Sequence, residues 1–170
     1  MKLFLKIGTS LLVLFFVFGC FYFIQSFDYE KIADRITAET AKELKEEKHL
    51  YLIGTGGQMM DDIQMMAMSF NYYQEVSVET GRELIIHVIS AYLAAINNNT
   101  EIRPYLHEYP FNAKNIEIRI FVYNTDRSEV SLEKIDCVTS INGVIKYYIR
   151  SNSRQAIYKE TYDQALKENI

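Results

Sequence analysis

Both prolines of the chain fall in one eleven-residue stretch, Glu101-Ile102-Arg103-Pro104-Tyr105-Leu106-His107-Glu108-Tyr109-Pro110-Phe111, beside an arginine, a histidine and two tyrosines. Binding and catalytic groups favour loops held on a rigid scaffold, and proline narrows the conformations such a loop explores. Arg103, Tyr105, His107, Glu108 and Tyr109 are therefore the first candidates for contact with a ligand or partner. His107 has the chemistry of a general base or of a pH-sensitive contact. The plainer reading of the stretch is a rigid connector whose Tyr and Phe rings plug the core while Arg103 pairs with a carboxylate.

A second group lies upstream, where Gly54-Thr55-Gly56-Gly57 is followed by Gln58-Met59-Met60-Asp61-Asp62. Glycines let backbone N–H groups approach an anion, which makes Gly56 and Gly57 secondary candidates. The stretch lacks the Lys and Ser/Thr of a P-loop, and two aspartates repel phosphate, so a tight turn is the plainer expectation. Met59, Met60, Met65, Met66 and Met68 are five of the six methionines. Thioethers ligate Cu(I), but Met equally fills irregular cores and adaptable binding grooves. With few histidines and no paired cysteines in the sequence, no metal or cofactor is expected. Asp61 and Asp62 resemble an acidic pair for metal or base chemistry, yet neighbours on a strand point to opposite faces.

The elements that must position these groups begin after an apolar run. From Ile7 to Phe27 no residue is charged, and the 18 residues from Ile7 to Ile24 are almost wholly apolar. As a helix they span about 27 Å, close to the hydrocarbon thickness of a bilayer. Residues 1–27 read as a membrane anchor or signal segment that meets lipid through residues 7–24, and residues 28–170 as one domain. Lys2 and Lys6 precede the run while Asp28 and Glu30 follow it, so the amino terminus is expected in the cytoplasm and the domain outside. Two alternatives stay open. A signal peptide is cleaved after small residues, whereas Phe21-Tyr22-Phe23-Ile24 continues the apolar run. Val17-Phe18-Gly19-Cys20 resembles a bacterial lipobox, with Cys20 as the lipidated residue. Cys137 alone cannot form an internal disulfide and is expected as a small buried residue of a strand.

Tyr29, Ile32, Ala33, Ile36, Thr40, Ala41 and Leu44 recur at helical spacing over residues 29–48. Leu50 to Ile53 reads as a short strand closed by the glycines. Residues 59–73 suit either period, and a strand over 63–74 is preferred. Leu84, Ile85, Val88, Ile89, Tyr92, Leu93 and Ile96 predict a helix over 79–97, with Ser77 placed to cap it and Asn97-Asn98-Asn99 to end it. Residues 103–114 form a loop. Ile116, Ile118, Ile120 and Val122 alternate with more polar positions as a half-buried strand. A further strand is expected within 130–141, and Asn142-Gly143 signals a hairpin returning over Val144 to Arg150. Ile157, Tyr162, Ala165 and Leu166 predict a last helix over 154–169. The whole reads as α+β: an N-terminal transmembrane helix, then an antiparallel sheet packed with amphipathic helices.

Without Lys2 and Lys6, 16 basic residues face 22 acidic ones, a net charge of −6. Such a domain lacks the basic stripe that nucleic acids require, so none is expected as a partner, and an anionic lipid surface is disfavoured. No nucleophile elbow or triad motif is present. The leading expectation is a membrane-tethered, non-enzymatic binding module outside the cytoplasm, recognising a protein or apolar ligand through the Met-rich segment and the 101–111 loop. One alternative is a hydrolase-like enzyme using His107, Glu108 and Asp61 in a single cleft. Another is a structural component of an envelope complex.

The stretches at 54–63 and 101–111 resemble an uncharacterised family of bacterial membrane-anchored proteins, over roughly residues 50 to 150. The resemblance implies an exported bacterial domain and brings no activity or catalytic residue.

Overall fold

The computed structural model describes residues 29–151 and 156–169. Tyr29, Ala33, Ile36, Thr37, Thr40, Ala41 and Leu44 are all buried along one side of helix α1, residues 29–48. The helix closes with His49 in the left-handed region at φ 56°. His49 N donates to Lys45 O at 3.1 Å, the single bond of an αL cap, and Leu50 N donates to Leu44 O at 3.4 Å. The chain then builds six strands whose order in space is their order in sequence. They are β1 (Tyr51–Gln58), β2 (Met65–Tyr72), β3 (Ile116–Val122), β4 (Ile135–Ile141), β5 (Val144–Ile149) and β6 (Ala156–Thr161). Helix α2 (Val78–Asn98) joins β2 to β3, and α3 (Tyr162–Glu168) follows β6.

The sheet corrects the expected fold class. It is mixed, because β2 and β3 run parallel in the register Met66↔Ile116 to Tyr72↔Val122, while the other neighbouring strands are antiparallel. A parallel pair needs a crossover, and the 21-residue α2 supplies it by returning the chain to the end of the sheet where β2 began. The transmembrane helix of that expectation is also not found among the described residues. Among the described residues no helix is long and apolar enough to cross a membrane, and residues 7–24, with Cys20, lie outside them.

Two local expectations also change. Gly54 to Gly57 do not turn the chain but continue β1, paired with β2 through a register shift between Leu52 and Gly54. The last helix is shorter than its apolar spacing predicts, since residues 156–161 add an edge strand to β5. Thr161 marks the helix start: its side chain accepts from Gln164 N at 3.2 Å while Gln164 Oε1 accepts from Thr161 N at 2.8 Å, a capping box. The strand β3, the α2 cap at Ser77 and the Asn142-Gly143 hairpin, with φ of 50° and 72°, match their sequence signals.

The helices line one face of the sheet. Met66, Met68, Phe70, Ile116, Ile118, Ile120, Val138, Ile145 and Tyr147 form that face and join the α1 and α2 stripes in the core. Thr37 Oγ1 donates to Ala33 O at 2.7 Å and accepts from the buried Tyr92 hydroxyl at 2.6 Å, tying α1 to α2. At the far edge, Glu160 of β6 is buried against Arg82 of α2, with Arg82 Nε 2.9 Å from Oε1 and the Tyr147 hydroxyl donating to the same oxygen at 2.6 Å. Glu168 of α3 completes the network 2.9 Å from Arg82. Cys137 is buried in β4, as expected.

Candidate functional site

Because β2 and β3 are parallel neighbours, the segments leading into them arrive at the same end of the sheet. Residues 59–64 enter β2, and the 99–115 connection enters β3. The two segments singled out by composition therefore meet. Ile63 N donates to Tyr105 O at 2.8 Å and His107 N to Ile63 O at 2.9 Å, a short bridge that locks one against the other. Fully buried Ile63 and Ile102 anchor the lock in the core. Asn97 at the end of α2 holds the far side, its Oδ1 accepting from Phe111 N at 2.8 Å and its Nδ2 donating to Phe111 O at 2.9 Å. The Tyr109–Pro110 peptide bond within this loop is cis.

At the junction His107 Nδ1 lies 2.6 Å from Asp62 Oδ2. The hydrogen bond to Asp62, with its charge, raises the His107 pKa above the ordinary 6.5, and the same bond lowers that of Asp62 below 3.8. Asp61, the neighbour named with it in the sequence, is exposed. Glu108 is engaged elsewhere, its Oε1 accepting from Asn115 Nδ2 at 2.7 Å and Asn112 Nδ2 at 3.3 Å. The grouping His107–Glu108–Asp61 is thus replaced by a His107–Asp62 pair. A carboxylate-held imidazole is half of a general-base arrangement. Among the described residues, no hydroxyl or thiol is hydrogen-bonded to His107.

The remaining candidates form the rim. The Arg103 guanidinium carbon sits 4.4 Å from the centroid of the Tyr109 ring, and both side chains donate to Asn97 O. Tyr105 turns inward, its ring 5.4 Å from that of Tyr29. The Tyr29 hydroxyl donates to Met59 O at 2.7 Å, so α1 also braces the turn. Met59 packs on the core whereas Met60 is 91% exposed. Met66 and Met68 are core residues, so the methionines serve separate environments. Gly56 and Gly57 pair with Ala67 and Met66 in extended ladder geometry, and do not curl into an anion-binding nest. Gly57 has a steric role: a Cβ there would lie 2.5 Å from Met59 Cε and 3.0 Å from Met65 O.

No family model matches the chain, and no curated protein or solved structure is found to be similar to it.

The sequence reading passed over a third group. At the opposite end of β1 and β2, the rings of Tyr51, Tyr73 and Tyr123 line up beside His49 and Arg127. These residues come from three separate segments, so no spacing in the sequence connects them.

Proposed function

We propose that this chain is a non-enzymatic recognition module that engages a protein partner through the rim of Met60, Arg103, His107 and Tyr109. One observation carries the reading: Met60 is 91% exposed on a turn pinned by backbone hydrogen bonds to the 101–111 loop. An apolar side chain held in solvent on a fixed turn offers a partner contact area without the cost of ordering the turn. Tyr109, 51% exposed and stacked on Arg103, adds an aromatic anchor of the kind that dominates binding energy at interfaces. The loop is already ordered by Asn97, Asn99 and the Ile63 bridge, which lowers the entropic cost of association. His107, charged more readily because of Asp62, gives the rim a cationic donor that weakens as pH rises.

A location outside the cytoplasm belongs to the same proposal. It rests on the sequence alone, through Lys2 and Lys6 ahead of the uncharged stretch and Asp28 and Glu30 behind it.

Photo-crosslinking in intact cells tests the recognition surface. A photoreactive residue at position 60 or 109 is expected to yield a discrete protein adduct, and one at exposed Leu132, at the other end of the sheet, is expected to yield none. Adducts equal at all three positions, or absent at 60 and 109, reject the reading. Replacing Arg103, His107 and Tyr109 together by Ala should leave the domain folded, with a cooperative thermal transition, and remove the adduct. Unfolding of that variant would instead assign the loop a purely structural part.

A further inference from the structure

The cleft at the far end of β1 and β2 has the makings of a second binding site, independent of the rim. It encloses about 260 Å³. Tyr51 and Tyr73 have ring centroids 5.3 Å apart, and Tyr73 and Tyr123 5.9 Å. The Arg127 guanidinium carbon stands 5.3 Å over the Tyr73 ring, and Lys45 Nζ 5.7 Å over that of Tyr51. The lining holds this guanidinium, the His49 imidazole, the Gln74 amide and the Thr125 hydroxyl, and no carboxylate, in a chain where acidic residues outnumber basic ones 22 to 18. Tyr72 donates to Gln74 Oε1 at 3.2 Å, which leaves the Gln74 amide nitrogen free to donate elsewhere.

Two further features set the cleft apart. Arg35, Arg82, Arg119 and Arg150 each meet a carboxylate, whereas among the described residues the side chains of Arg103 and Arg127 rest on tyrosine faces, and of these two only Arg127 lines this cleft. Its backbone is in the left-handed region at φ 69°, and so is that of His49 at φ 56°. Glycine adopts that conformation without the steric clash that a Cβ brings. At both places the fold instead carries a cationic or ionisable side chain, and both line the same cleft.

We propose that the cleft binds a small ring compound bearing a carboxylate, the ring lying on the tyrosine faces and the carboxylate paired with Arg127, with His49 and Gln74 as further donors. Planar guanidinium matches carboxylate geometry, and a volume of this size admits a single ring. Acidic sugars and aromatic acids share this chemistry.

The test uses the full-length chain with ¹³C-labelled tyrosine rings. Glucuronate and benzoate are titrated separately, with glucose and benzamide as uncharged counterparts. The expected result is a saturable shift confined to Tyr51, Tyr72, Tyr73 and Tyr123 with at least one acid, and binding weakened roughly tenfold or more for its uncharged counterpart and in Arg127→Gly. Glycine suits the backbone at position 127, and Arg127→Asn, which also tolerates positive φ, is the second variant should the first perturb resonances elsewhere. A response to glucuronate alone identifies the source as an acidic sugar, and one to benzoate alone as an aromatic acid. Silence with both acids, equal response to the uncharged compounds, or undiminished binding in both Arg127 variants overturns the proposal.

Discussion

His107 Nδ1 and Asp62 Oδ2 stand 2.6 Å apart although 45 residues separate them in the chain. Each group favours the charged form of the other, so His107 titrates above 6.5 and Asp62 below 3.8. The sign follows from these directions. The His107 contribution is complete below its unfolded pKa and is lost as pH rises through the raised one. The Asp62 contribution is complete above its unfolded pKa and is lost as pH falls through the lowered one. The pair therefore holds the two loops most firmly between those limits. In Asp62→Asn, NMR titration of His107 should show its pKa falling back toward 6.5. An unchanged His107 titration would mean that Asp62 does not set it.

Arg82 and Glu160 form a buried pair, and breaking such a pair leaves an uncompensated charge. Arg82→Met and Glu160→Gln should each cost about 3 kcal/mol in urea unfolding. The double variant should cost well under the sum, since each single change strands the other partner. Additive losses would show that the pair is not coupled.

Gly81 of α2 is buried against the sheet. A Cβ there would meet Val138 Cγ2 at 3.2 Å and Tyr147 Cε1 at 3.4 Å. Gly81→Val adds two methyl groups to that contact and should destabilise by about 2 kcal/mol through overpacking. A thermal midpoint equal to that of the unsubstituted chain would show that the helix lifts away without cost.

Arg127→Gly and His49→Gly should each raise stability, by about 0.5 to 1 kcal/mol, because the relief of positive φ outweighs glycine's extra unfolded-state entropy. Denaturant midpoints measure this directly. A loss of stability at either position would mean that its side chain contributes more to the fold than its backbone costs.

Much of the fold is legible locally. The buried stripes of α1 and α2, the Ser77 cap, the alternation in β3 and the Asn142-Gly143 turn each depend on residues within a few positions of one another. The edge strand β6 is not legible in this way. Ile157, Tyr162, Ala165 and Leu166 satisfy a helical period, and residues 156–161 extend because the open edge of β5 satisfies their backbone groups. Only the Thr161–Gln164 box marked the true helix start.

The candidate site divides along the same line. Composition alone drew attention to 54–63 and 101–111, since few segments gather prolines, methionines and titratable groups so densely. That the two segments touch, and that Asp62 and not Asp61 reaches His107, follows from the parallel pairing of β2 and β3. The sequence by itself determined the helices α1 and α2, the alternation of β3 and which loops are chemically rich, because those properties rest on short-range spacing. Tertiary structure decided strand direction, the partner of each charged group and the assembly of the tyrosine cleft, because each depends on segments that are distant along the chain and become neighbours only when the sheet closes.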